Sequence, residues 1–493
     1  FPIGSTGAVL TGAMLMVICT VLSQDTVYTI IGDKNNLKTI FLLWGMMMIS
    51  QYFEREKLID YLLNILFRPG LHFIGCLFRL SIIDACLSAL FTNDVACVIL
   101  TPLILTKWTE QKRDIHELNT LLLCLATMAN IGSVLTIFGN PQMALIASKT
   151  TSFLRSRLDL KTCVIYIWLP AFICWLLNLC FLVLHYYCST RLRRNSTDDQ
   201  KMYGARKMSD ATNNEISLDP VDIQHEIYRD EYTLSPKIGN SAGKQQRTQS
   251  LPTSTMISRS VSVASFSFHD SDHKGDADSF EPSNSKFFKC LLVFMIIVVI
   301  ALLFASNDRV SFDIGLVPIG GAIILMVVDC ILNHRSPEKI FHRIDWNVLL
   351  LFFGIFVWLY GLNSTGIPHL VWNALKLENT DFRQISSTLL LYIFILIGSN
   401  IFSNVPLTIL VLNEVPPDGD HLNLILYLAF VSTLAGNLTL FGSVANLIVA
   451  QKSLATINHR FTFWIYLKFG FITTIILSLV GLFTIYGLTH AIK

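Results

Sequence analysis

Two polar tripeptides stand inside apolar sequence, in Phe91-Thr92-Asn93 and Phe402-Ser403-Asn404, the first followed by Asp94 and the second by Val405. A second pair of tracts repeats at a similar separation: Leu135-Thr136-Ile137-Phe138-Gly139 and Leu438-Thr439-Leu440-Phe441-Gly442. Around them lie Asn130, Gly132, Ser133, Asn140, Pro141 and Gln142 in the first half, and Pro406, Gly436, Asn437, Ser443 and Asn446 in the second. Amides and hydroxyls both donate and accept hydrogen bonds, so this set offers recognition of a neutral, multiply hydroxylated solute. No Arg or Lys falls in any of these tracts, and a dianion would lack a cationic partner there. Nucleophile, base and orienting group do not recur at usable spacing, which speaks against an enzyme.

Asp94 breaks the symmetry, because Val405 stands in its place in the second half. An ionisable side chain at membrane depth is costly and points by default to function, here a proton relay. The alternative is that Asp94 caps the helix that begins beside it. Asp84 and Arg79 on the preceding apolar stretch are expected to form a structural ion pair, with a coupling role as the second reading. Asp329 is expected at the membrane interface, near the end of its span.

The elements that must carry these groups follow from composition. With 52% hydrophobic and only 15% charged residues, the chain is too apolar for a soluble domain and reads as an all-α polytopic membrane protein. A net charge of +2, evenly mixed, gives no footprint for nucleic acid. The 11 Cys are scattered without CxxC or ligand spacing, so neither metal nor disulfide is implied. Spanning runs lie at 7–23, 37–53, 118–149, 161–188, 287–305, 312–333, 346–362, 421–451 and 462–488. Two more, 71–108 and 385–413, are broken at the Phe-Thr/Ser-Asn tripeptides. Backbone left unpaired at membrane depth must face protein or water, so each is read as a re-entrant helical hairpin with its tip at the midplane.

The halves then match in order: a first transmembrane repeat at 1–188 and a second at 287–493, each with one hairpin and one broken helix. Gly12-Ala13 matches Gly321-Ala322, and Gly45 matches Gly354. The run at 287–305 has no partner in the first half, so a further helix of about 20 residues is expected before Phe1. Five crossings per repeat would invert the second relative to the first. Paired, interrupted segments in two inverted halves are the mark of a secondary transporter whose site lies between them. In that site Gly132, Gly139, Gly436 and Gly442 would release the chain from helical geometry, and Pro141 and Pro406 would remove donors and free carbonyls for a ligand.

Residues 189–286 are rich in Ser, Asn, Asp and Lys and read as a disordered linker. Placing it in the cytosol puts Arg55, Lys57, Arg68, Lys107, Lys112, Arg113, Arg335, Lys339, Arg343, Lys452 and Arg460 inside, and Glu414, Asp418 and Asp420 opposite. Lys149, Arg155, Arg157 and Lys161 run against this orientation but are outnumbered. The C-terminus then lies opposite the linker, and the plasma membrane is the expected location. Within the linker, Arg247-Thr248-Gln249-Ser250-Leu251-Pro252 has the spacing of a basophilic kinase site, which would let phosphorylated Ser250 dock a phosphoserine-binding adaptor; Ser-rich tracts also yield such matches by chance.

The tracts Ser88 to Asp94, Ala129 to Ser133, Gly139 to Gln142, Ser399 to Pro406 and Ala435 to Val449 closely resemble the arsenite efflux permeases and the related plant silicon effluxers of the ion transporter superfamily. The resemblance covers nearly the whole chain outside the linker. It implies efflux of arsenite or silicic acid by proton antiport, without a bound cofactor, from a possible homodimer. Thr92, Asn93, Asn130, Ser133, Thr136, Asn140, Gln142, Ser403, Asn404, Asn437, Thr439, Ser443 and Asn446 are the expected solute-binding residues, with Asp94 exchanging the proton. The sodium-coupled dicarboxylate branch carries Ser-Asn-Thr at the tips, and Asp94 and Val405 depart from that, favouring protons over sodium. Pro102 and Met143 depart from the silicon effluxers, which leaves the cargo open. Two alternatives stand: a sodium- or proton-coupled anion carrier, with helix N-termini replacing cations, and a channel or pump subunit. The chain has no Gly-x-x-x-x-Gly-Lys-Ser/Thr loop, so ATP work would need a partner.

Overall fold

The computed structural model describes residues 4–58, 72–110, 114–152, 156–212, 286–305, 312–377, 384–416 and 419–492, with single residues at 282, 380 and 382. Among them all regular structure is helical. The first half contains α1 (Gly4–Ile18), α2 (Gln24–Ile31), α3 (Lys34–Arg55), α4 (Phe73–Leu90), α5 (Asn93–Glu110), α6 (Ile115–Ser133), α7 (Pro141–Lys149) and α8 (Trp168–Thr212). The second contains α9 (Lys286–Ala305), α10 (Leu316–Asn333), α11 (Glu338–Arg343), α12 (Trp346–Ser364), α13 (Ile367–Ala374), α14 (Ile385–Phe402), α15 (Asn404–Glu414), α16 (Leu422–Ala435), α17 (Val444–Ile457) and α18 (Phe463–Ala491).

Seven helices among the described residues are long and apolar enough to cross a membrane, and large apolar side chains on them, such as Phe172, Phe294 and Ile331, point outward. The protein is a multi-pass integral membrane protein. The two expected hairpins are present as helix pairs, α4 with α5 and α14 with α15, and each pair turns at its Phe-Thr/Ser-Asn tripeptide. The two expected broken helices are α6 with α7 and α16 with α17. The apolar run at 7–23 ends earlier than read, at Ile18, and α2 starts afresh behind the Ser23 cap.

The chain divides into one compact unit of 1–191 with 267–493, and a second of 192–266. Helix α8 runs on to Thr212, through the start of the stretch read as a disordered linker. The rest of that stretch up to 281, with Ser250, lies outside the described residues.

Small residues at matching positions make matching contacts. Gly45 on α3 abuts the backbone of Pro318 and Ile319 on α10, so closely that a Cβ would collide. Gly354 on α12, at the offset of 309 that relates Gly45 to it, abuts Val9 and Leu10 on α1. That same offset carries Val9 to Pro318 and Leu10 to Ile319. The α3–α10 and α1–α12 contacts are therefore one packing solution used twice with the halves exchanged, and both pairs pack extensively.

Next to these pairs, Asp329 is buried rather than interfacial. Arg55 Nη1 and Nη2 donate to its two carboxylate oxygens at 2.6 and 2.9 Å, and Asn333 Nδ2 adds a third bond at 2.7 Å. Arg55 also donates to Glu56 at 3.0 and 3.1 Å and sits over the rings of Tyr52 and Phe288. Lys289 Nζ, 4.0 Å from Glu56, supplies the second cation that balances the two carboxylates, and such pairing is what lets helices of opposite halves bury the charges.

Candidate functional site

The polar tracts converge. Helix α6 ends at Ser133, and the chain resumes as a helix only at Pro141. Asn140 starts α7: its side-chain oxygen accepts from the Met143 N–H at 2.8 Å, and Pro141 occupies the first helical position, where a missing N–H costs nothing. Pro141 thus stands where it helps begin a helix. Gly132 likewise lies inside α6, where a Cβ would strike the backbone of Ala85 on α4; its role is close approach rather than release from helical geometry. In the second half the break runs from Gly436 through a 3-10 turn at Leu440–Gly442 to Val444.

Asn130 is the hub. Its amide oxygen accepts from Asn93 Nδ2 at 2.8 Å and Ser443 Oγ at 3.1 Å, and its amide nitrogen donates to Asn437 Oδ1 at 2.7 Å and Asn446 Oδ1 at 3.2 Å. Asn437 Nδ2 donates on to the Thr127 carbonyl at 3.1 Å, and Asn446 Nδ2 to the carbonyls of Gly436 and Thr439 at 2.7 and 3.1 Å. Beside this net, Asn140 Nδ2 donates to Ser133 Oγ at 3.0 Å and Thr433 Oγ1 at 3.3 Å, and Gln142 Nε2 reaches Thr433 Oγ1 at 3.4 Å. All of these side chains are buried. Out of reach of water, the members of such a cluster must satisfy each other.

The hairpins are tied to the breaks by corresponding threonines. Thr136 Oγ1 donates to the Ala89 carbonyl at 2.6 Å, and Thr439 Oγ1 to Asn400 Oδ1 at 3.2 Å. The Asn93 N–H also donates to the Gly139 carbonyl at 2.9 Å. Asn404 is buried against Gly436, its Oδ1 without a partner among the described residues. The tips differ. Thr92 is buried and caps α5 by accepting from the Val95 N–H at 3.2 Å, whereas Ser403 is exposed, makes no capping bond and holds φ +74° with ψ 156°.

Since Thr92 is the cap, Asp94 is not. Its carboxylate faces the Ala445 N–H in the first turn of α17, and the Asp345 carboxylate acts on it. Asp94 therefore lies between the N-termini of α5 and α17, one from each half. The expected Asp84–Arg79 pair does not form: Asp84 is fully buried on α4, and the group that faces its carboxylate is the Ala129 backbone on α6.

Two participants were not anticipated as site residues. Thr433 receives both Asn140 and Gln142, and Asn400 holds Thr439. The repeat itself contained the signal, because the offset of 303 that carries Leu135 to Leu438 carries Asn130 to Thr433.

An apolar multi-helix body in which two interrupted helices and two helix-pair tips bring amides and hydroxyls together in the interior is the architecture of a membrane transporter. A family model described as citrate transporter (CitMHS) matches residues 1–422, and the chain belongs to that family. It is 28% identical to a silicon efflux transporter (LSI3) of Oryza sativa subsp. japonica, over 98% of this chain and 92% of that one. A putative transporter (arsB) of Dictyostelium discoideum is 29% identical over 97% of this chain and 87% of its own length. The human P protein is 23% identical over 92% of this chain and 54% of its own. These agree with the resemblance read from the motifs, and the protein is a transporter.

Proposed function

We propose that the protein is a secondary active carrier that exports a small uncharged metalloid acid, silicic acid or arsenite, in exchange for protons. The observation that carries this reading is the composition of the interior cluster: amides and hydroxyls from both halves, with no Lys or Arg, and the buried Asn404 Oδ1 left to accept a hydrogen bond. A solute bearing several hydroxyls satisfies Asn404 and competes for the donors of Asn93, Asn130, Asn437 and Asn446, and Thr92, Ser133, Thr136, Asn140, Gln142, Ser403, Thr439 and Ser443 complete its surroundings. Asp94, with no acidic counterpart in the second half, exchanges the proton. The names of the rice and Dictyostelium relatives agree with such a cargo.

The cell-level arrangement is part of the same proposal: two inverted repeats at 1–188 and 287–493, a cytosolic linker between them, a C-terminus on the opposite side, and residence in the plasma membrane. The family's citrate description favours the second reading, an anion carrier, in which the N-termini of α7, α15 and α17 stand in for cations. Flux of germanic acid and of arsenite is the deciding measurement, in proteoliposomes of the full-length protein with and without a pH gradient. Gradient-driven flux of either is expected. Sodium-driven citrate flux with neither metalloid moving would replace this reading by the anion carrier.

A further inference from the structure

Helices α7 and α15 both begin at the polar cluster, at Asn140 and Asn404, and both run outward to a cleft of about 510 Å³ that the proposed chemistry does not use. The cleft is lined from both halves, by Asp33 and Asn36 at the start of α3, Lys149 at the end of α7, Tyr360 on α12, and Ile409 and Asn413 on α15. Ile409 follows Asn404 by five residues, roughly 7.5 Å along a helix axis, so little protein separates the cleft from the cluster.

The cleft wall also contains an unmet acceptor. Asn36 is 6% exposed; its Nδ2 donates to the Ile30 carbonyl at 2.8 Å, and its Oδ1 has no partner among the described residues. The lining carries two carboxylates, Asp25 and Asp33, against one ammonium, Lys149, on which Asp33 acts while capping α3 with its own carboxylate. A rim with a net negative charge disfavours an anion, and it exposes amides to a hydroxylated solute.

We infer that this cleft is the mouth of the transport path on the side to which the C-termini of α7 and α15 point, a waiting site where a small neutral polyhydroxylated solute bonds Asn36 and Asn413. The solute's chemistry rests on the proposed function, whereas the position of the mouth rests on the geometry alone.

The test uses the full-length protein in proteoliposomes, with its exposed cysteines replaced by serine. A membrane-impermeant thiol reagent is expected to label Ile409→Cys from one face only and to lower flux at least tenfold. Asn413→Trp, which fills the cleft, is expected to do the same without reagent while leaving the melting temperature unchanged. If Asn413→Trp does not fold, the reagent-blocked Ile409→Cys protein supplies the equivalent obstruction. Labelling from neither face, or flux within twofold of the parent after blockage, overturns the inference. Flux is read for whichever solute the parent carries. A parent that moves citrate but no metalloid acid therefore sinks the solute assignment, and the mouth still stands or falls by its own result.

Discussion

Ser443 Oγ donates to Asn130 Oδ1 at 3.1 Å, and the same contact recurs with the halves exchanged, as Asn140 Nδ2 donates to Thr433 Oγ1 at 3.3 Å. The offset of 303 carries Asn130 to Thr433 and Asn140 to Ser443, so each pair is the other's image in sequence as well as in space. Both contacts cross from one half to the other, so the cluster is built from the two halves together. Double-mutant cycles on the two pairs should each give a coupling of about 0.5–1.5 kcal/mol in detergent unfolding, the size of a buried neutral hydrogen bond. Asn130→Ala alone should cost more, about 3 kcal/mol, because it strands Asn93, Asn437 and Asn446 as well as Ser443. Couplings near zero in both cycles would mean that the cluster is not held by these bonds.

Gly132 lets α6 press against the backbone of α4 at Ala85. Gly132→Ala should cost at least about 1–3 kcal/mol, since main chain rather than a flexible side chain must move aside. Gly320→Ala is the control: it also lies within a helix, nothing stands within 4 Å of its would-be Cβ, and helix propensity alone predicts a gain of up to about 1 kcal/mol. Thermal melting of both variants in one detergent reads the difference directly, and equal melting would remove the close-approach argument.

Much of this was legible because membrane sequences separate apolar spans from polar interruptions so sharply. The tripeptides at Phe91 and Phe402 marked both helix-pair turns, whereas Asn140-Pro141, read from sequence only as part of a break, is where α7 starts. What sequence could not supply was who faces whom. Asp329 near a helix end looks interfacial in one dimension, and only packing of α10 against α3 brings Arg55 onto it. Asp84 and Arg79 are near neighbours in sequence, but position along a helix does not fix a pairing that depends on what packs around each side chain. Thr433 escaped notice because hydroxyl-bearing residues are common in apolar helices, where most bond their own backbone, as Thr433 also does to the Ala429 carbonyl at 2.7 Å.

The Arg55–Asp329 pair joins the halves and is almost wholly dry, with Arg55 4% and Asp329 1% exposed. Asp329→Ala should therefore cost about 3–5 kcal/mol, because it leaves a buried guanidinium without its bidentate partner. Arg343→Ala should cost under about 1 kcal/mol, because its contact with Glu54 is 3.7 Å long and much more exposed. Equal losses in the two variants would contradict the assignment of Asp329 to the interior.

Under the proposed mechanism Asp94 is the site of proton exchange, placed between helix N-termini from the two halves. Asp94→Asn should lose at least tenfold in flux driven by a pH gradient, while exchange of labelled against unlabelled solute across the membrane, which moves no net proton, should persist. Asp94→Glu should recover part of the driven flux. Driven flux in Asp94→Asn that keeps the parent's dependence on pH would sink the proton role and leave Asp94 a polar lining residue.

Ser403 occupies backbone space that is otherwise nearly reserved for glycine, with φ +74° and ψ 156°, while its counterpart Thr92 needs no left-handed φ and caps its helix. Such a conformation costs on the order of 1–3 kcal/mol and persists only where surrounding structure enforces it. The strain therefore sits at the exposed tip, next to the unpartnered Asn404, and not at the buried one. Ser403→Gly should raise stability by about 1 kcal/mol, whereas Ser403→Ala should not, because Ala keeps the Cβ that makes the conformation unfavourable. If the strained tip helps the carrier leave this conformation, the glycine variant should also transport several-fold more slowly despite being the more stable protein. Glycine and alanine variants that melt together would show that the tip relaxes in the membrane, and slower transport by both would then point to loss of the Ser403 hydroxyl as a solute contact.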